Sequence, residues 1–103
     1  MNIRIQSLHF TADQKLIDLI EEKINRLAHY IQGQTVETNV ILKLEHVGQV
    51  QDKIIEVIIN IPGQSMVAKS SKKSFEEALQ EVISTLKTKL SRHKEKIQDK
   101  HQG

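Results

Sequence analysis

The chain has 103 residues, a formal net charge of +2 and no cysteine. That length holds one domain with one modest core, and the missing thiols exclude disulfides, thiol catalysis and thiolate metal sites. Aromatic residues are few (Phe10, Tyr30 and Phe75), and no stretch has the ~20 apolar residues of a membrane helix or the apolar core of a signal peptide. The expectation is a soluble, cytoplasmic protein.

Taken in chain order, NIRIQSLHF alternates Ile3 and Ile5 against Arg4 and Gln6, the period of a half-buried strand. Thr11 and Gln14 have the spacing of a capping box. Behind them Leu16, Ile20, Ile24, Leu27 and Ile31 step by three and four, which predicts a helix over about 12–31. QGQT, with Gly33, is the expected stop. VETNVILKLE then places Val40, Leu42 and Leu44 on one face of a second strand, which HVGQVQD interrupts around Gly48. KIIEVIINI places Ile55, Val57, Ile59 and Ile61 on one face, Pro62-Gly63 forces a turn, and SMVAKS is a shorter strand with Met66 and Ala68 facing together. A second capping box, Ser74 with Glu77, opens a helix whose stripe is Phe75, Leu79, Val82, Leu86, Leu90 and Ile97.

The order is β-α-β-β-β-α. Hairpin-length links make the last three strands antiparallel neighbours, and the first strand returns beside them only across the first helix. Both helices then cover one sheet face, an α+β two-layer sandwich with a four-stranded sheet, similar in outline to a double-stranded-RNA-binding domain. One domain over 1–98 with a short, frayed end over 99–103 is expected.

Charge is distributed unevenly along this frame. Residues 1–68 carry six Lys/Arg and eight Asp/Glu, whereas residues 69–103 carry nine and five. On a helical wheel with Leu86 at zero, Lys89, Lys96 and Arg92 fall at about −60°, −80° and −120°, and Lys87 and Lys94 at about 100° and 80°. The bases therefore flank the apolar stripe on both sides. Dipole complementarity explains one turn of C-terminal Lys but not three. A helix from Phe75 to about Lys100 is ~39 Å long, against ~17–20 Å for a five- or six-residue strand. The basic turns are therefore expected to overhang the sheet as a cationic rod, a shape suited to phosphate binding. Lys69, Lys72 and Lys73, ahead of the second helix, are candidates to join that face, as is Lys15.

LSRHKEKI, preceded by FEEAL, resembles the C-terminal helix of the ribosome hibernation-promoting factor family, which includes ribosome-associated inhibitor A. The K-x-x-R-L-x-x-Y pattern of Lys23, Arg26, Leu27 and Tyr30, the strand VILKLE and the MNIRIQSLHF start are similar too, so the resemblance spans essentially the whole chain. It implies a bacterial stress and stationary-phase factor that fills the mRNA and tRNA channel of the small ribosomal subunit and holds rRNA phosphates. By position, the implied RNA contacts are Lys23 and Arg26 on the first helix and Lys87, Lys89, Arg92, His93, Lys94 and Lys96 on the second. No cofactor, metal, membrane or small-molecule substrate is implied, and off the ribosome a monomer is expected. Two departures matter: Ser74-Phe75-Glu76 stands where many members have Asp-x-Tyr, and the chain resembles the short form, without the dimerising C-terminal domain.

Three other classes compete. An enzyme is disfavoured because His9, His29, His46, His93 and His101 are dispersed and no glycine loop cradles phosphate. A generic double-stranded RNA binder shares the α-β-β-β-α core, but the turn at 69–73 lacks that fold's basic motif. A module that binds an acidic protein would show a shallower salt dependence than phosphate binding.

Overall fold

The computed structural model describes the backbone of residues 1–31 and 36–102, with all their side chains except 47 and 95–102. Four strands, β1 (Asn2–Ser7), β2 (Glu37–Val47), β3 (Val50–Ile61) and β4 (Gln64–Lys72), and two α-helices, α1 (Gln14–Asn25) and α2 (Phe75–Gln102), appear in the expected order. The sheet order is β1-β2-β3-β4. β1 runs parallel to β2 with Ile5 opposite Val40, and the other pairs are antiparallel, with Val40 opposite Val57 and Val57 opposite Ala68. This is the α+β sandwich that the alternation and the turn signals imply.

Both helices cover the face that carries Thr38, Val40 and Leu42 of β2, Ile55, Val57, Ile59 and Ile61 of β3, and Met66, Ala68 and Ser70 of β4. Against it α1 buries Leu16, Ile20 and Ile24, and α2 buries Phe75, Leu79, Val82, Leu86 and Leu90. The last of these is only 1% exposed, which at full burial of a Leu is worth ~1.5–3 kcal/mol. Phe10 stacks on Phe75 with centroids 5.5 Å apart, so the chain leaving β1 is pinned to the start of α2. The side chain of Ile97, expected in the stripe, lies outside the described ones.

The start and end of the first helix differ from the sequence expectation. Asp13, not Thr11, is the N-cap: its Oδ1 accepts from Leu16 N at 2.8 Å. A carboxylate both satisfies that amide and complements the positive helix end, so it is preferred over the hydroxyl two residues earlier. After Asn25 the chain tightens into a 3₁₀ segment, Arg26–Ile31. At three residues per turn Leu27 and Tyr30 fall on one side; Leu27 is buried and Tyr30 half-buried. His29 Nδ1 donates to the Arg26 carbonyl at 2.8 Å. The expected stop at 32–35, with Gly33, lies outside the described residues.

Both hairpins close with two residues. Pro62-Gly63 links Ile61 to Gln64, and Gly63 has φ +86°; a proline followed by a left-handed residue is type II chemistry. Gly48, at φ +63°, opens the other turn, between Val47 and Val50.

The overhang needs correction. β3 and β4 have 12 and 9 residues, so they run ~30–40 Å at ~3.3 Å per residue rather than 17–20 Å. α2 doubles back along β4, and His93 reaches Gln64, the first residue of that strand. Lys87, Lys89, Arg92 and His93 therefore lie beside the sheet, and only the helix beyond them projects past it. α2 is helical through Gln102, and Gly103 is outside the described residues.

Candidate nucleic-acid interface

The two helices run parallel. Lys23 and Leu19 of α1 flank a groove with Glu76, Leu79 and Ile83 from the first half of α2. Further along, Tyr30 of the 3₁₀ segment meets the second half of α2 across a hollow of about 410 Å³, lined by Lys87, Thr88, Ser91 and Arg92. The order of these meetings follows from the shared direction: residues 19 and 23 face 76–83, and residue 30 faces 87–92. Two cations, two hydroxyls and a phenol share the second hollow, a donor set suited to a phosphodiester. Tyr30 is held there against the His29 ring at 3.9 Å, and the Thr88 hydroxyl donates to Ser84 O at 3.2 Å, leaving its lone pairs outward.

The other side of α2 faces β4. Lys89 Nζ donates to Val67 O at 2.6 Å, and Gln64 Nε2 donates to His93 Nδ1 at 2.9 Å. Arg92 borders a hollow on this side, lined also by Gln64, Val67, Lys89 and His93, as well as the one beside Tyr30. Wheel angles separate Lys87 from Lys89 correctly, but only the fold shows that one side meets the 3₁₀ segment and the other the sheet edge. The implied RNA residues thus divide. Lys87 and Arg92 converge with Tyr30, Lys23 sits upstream on the same helical layer, and Lys89 and His93 are bonded to β4. Arg26 lies on α1's continuation, paired with Glu22 at 2.8 Å. Lys94 is the last described side chain, and that of Lys96 lies outside the described residues.

The lysines ahead of α2 do not join this face. Lys72 pairs with Glu81 at 2.9 Å and Lys73 with Asp52 at 2.8 Å. Lys69 points to the opposite sheet face, where its register partner is Glu56. Among the described residues none of Lys23, Lys87 and Arg92 forms an ion pair with an acid.

A family model described as "Sigma 54 modulation protein / S30EA ribosomal protein" matches residues 3–98. The chain belongs to that family. A protein of Pseudomonas putida called ribosome hibernation promoting factor is 31% identical over 103 residues, covering 100% of this chain and 96% of the relative. The N-terminal domain of Thermus thermophilus Protein Y superposes with a TM-score of 0.77 at 22% identity, over 90% of this chain and 99% of that one. A ribosomal subunit interface protein of Coxiella burnetii does so at 0.74 and 19%, over 91% and 98%. At those identities the two structures establish the shared fold.

Within this S30EA-family fold, Ser74 still caps α2, since Glu77 N donates to its Oγ at 3.2 Å. Phe75 is buried against Phe10 and therefore faces no partner. Thr88 and Ser91 also line the hollow beside Tyr30, though the charge pattern does not single them out. Their signal is that two hydroxyls punctuate the basic run on its outward side. Tyr30 was visible only as part of the K-x-x-R-L-x-x-Y pattern.

The Lys72–Glu81 pair carries a pH dependence. Its hydrogen bond, reinforced by Coulomb attraction, raises the Lys72 ammonium above its usual 10.5. The same bond holds the Glu81 carboxyl below 4.5, with a lesser contribution from Ser70. Ser70 Oγ is buried without a partner at hydrogen-bond distance, so the effect on Glu81 belongs to the lysine. A lowered acid stabilises above its unfolded pKa and loses that contribution as pH falls through the folded value. The raised lysine stabilises below 10.5 and loses its contribution as pH climbs past that point. Glu81→Gln should lower the melting temperature slightly at pH 7 and converge with the parent as pH falls below 4.5, so that its acid limb is marginally shallower; the effect is small because the pair is exposed. An identical acid limb in the variant would assign that limb to other carboxylates.

Proposed function

We propose that this protein is a ribosome hibernation factor that occupies the mRNA and tRNA channel of the small subunit, held by phosphate contacts from its parallel-helix layer. The observation that carries this reading is the convergence of Lys87 and Arg92, neither paired with an acid among the described residues, on the hollow beside Tyr30. Family membership and the P. putida relative's name support the ribosome as partner. Phosphate contacts position without reading sequence, so inhibition follows from overlapping volumes: while the domain sits in the channel, mRNA and tRNA cannot enter. No chemistry is required, and no cofactor enters the mechanism. The working state is a cytoplasmic monomer held against rRNA.

The generic double-stranded RNA reading is less well supported. Lys72 and Lys73, the bases entering the last helix, already face Glu81 and Asp52, so their charge is partly offset at the place where a duplex would be bridged. Co-sedimentation separates the two. The protein should pellet with isolated small subunits, be displaced by mRNA together with tRNA, and stay in the supernatant with a long RNA duplex. Pelleting with the duplex but not with subunits would overturn the hibernation reading.

A further inference from the structure

β4 is an edge strand, and nothing in the sheet pairs with its outer side. Because Ile61 and Gln64 close a two-residue hairpin, the even residues of β4 bond to β3, and Ser65, Val67, Lys69 and Ser71 turn their N–H and C=O groups outward. The Lys89 bond confirms this polarity, since it is the Val67 carbonyl that the ammonium reaches. Among the described hydrogen bonds that one is the only one made to the outward backbone of this edge. A single long side chain is a removable guard for such an edge.

The surroundings of the edge define what fits it. A hollow of about 290 Å³ is lined by Ser65, Met66, Val67, Lys89 and Arg92. Residues 65 and 67 face one side of the sheet and 66 the other, so the hollow lies along the edge itself. On its helix side stand two cations and His93. On its open side Val67 is 43% exposed, next to its register partner Ile58.

We propose that the edge of β4 binds an extended peptide that alternates acidic and apolar residues, added to the sheet as a fifth strand. Its backbone would pair with Ser65, Val67 and Lys69. Its acidic side chains would meet Arg92 and the Lys89 ammonium displaced from Val67 O, and its apolar side chains would cover Val67 and Ile58. Alternating donors and acceptors along a strand match a peptide backbone, and RNA offers neither that repeat nor apolar side chains for Val67. A second copy of this chain is disfavoured, because β4 against β4 would bring Lys69, Lys89 and Arg92 of both copies together. This inference goes beyond ribosome binding and does not depend on it.

The test uses the isotope-labelled full chain and an acetylated peptide alternating Glu and Val. Binding should move the Ser65, Val67 and Lys69 amide resonances downfield and slow their hydrogen exchange. An analogue N-methylated on the amides that face β4 keeps every charge and should bind at least tenfold more weakly. Val67→Pro removes an outward N–H that no ladder bond uses, a substitution edge strands accept. It should fold, lose peptide affinity tenfold or more, and still pellet with small subunits. The proposal is overturned if the three amides do not move, if the N-methylated analogue binds equally well, or if an oligouridylate moves the same amides as strongly as the peptide does. Should Val67→Pro fail to fold, the N-methylated peptide on the unmodified chain decides alone.

Discussion

Replacing Lys87, Arg92 and Lys94 together with glutamate should abolish small-subunit association at physiological salt and leave the melting temperature within a few degrees of the parent. Lys87 and Arg92 are exposed and unpaired with acids among the described residues, so their native-state role in stability is that of surface positions, each within about 0.5 kcal/mol. On the proposed function each would make a charge-assisted contact with phosphate, a class worth ~1.5–3 kcal/mol. Losing three of them should weaken binding by at least a hundredfold and lower the slope of log affinity against log salt by about 2–3. Lys72 and Lys73 make the control: both carry ion pairs within the fold, and their reversal should leave association within a few-fold. Undiminished binding by the triple variant would show that the cluster is only a solvated face.

That choice of residues differs from what the wheel alone suggests. Read from sequence, Lys89, Arg92 and Lys96 form one side of the helix and look like the natural triple. In the fold Lys89 and Arg92 border β4, and Lys89 is spent on Val67 O, so its removal tests the sheet edge as much as any RNA contact. Local patterns carried the element order, the antiparallel hairpins and the buried stripes, because alternation by two and steps of three and four depend only on which face meets the core. They could not carry the pairs Lys72–Glu81 and Lys73–Asp52, whose members are distant in sequence. The basic turns from Lys87 to His93 are misplaced into the overhang for a related reason: a typical strand length stands in for the real one, and β3 is about twice that length. The cap moved from Thr11 to Asp13 because two residues competed for one helix end and the charged one was better placed.

Leu90→Ala should have the largest effect on stability, and that effect should reach the interface. Leu90 is 1% exposed and is the last described residue that α2 buries, with Lys87, Lys89, Arg92 and Lys94 around it. Truncating a buried Leu leaves a cavity and costs about 2–5 kcal/mol, a large part of the 5–15 kcal/mol that holds a domain together. For a chain of this size about 3 kcal/mol corresponds to a fall of roughly 12–24 °C in melting temperature. Leu86→Ala, at a site 0% exposed one turn upstream, should cost a similar amount. The two should differ in local opening: hydrogen exchange from about residue 87 onward should accelerate more in Leu90→Ala than in Leu86→Ala, with the first turns of α2 protected in both. Below its melting point Leu90→Ala should also bind small subunits more weakly than Leu86→Ala does, because Arg92 and Lys87 keep their spacing about Tyr30 only while that turn is packed. Were Leu90→Ala to keep full stability and full binding, the basic segment would act as a tethered polycation, and the convergence of its side chains beside the 3₁₀ segment would be irrelevant to affinity.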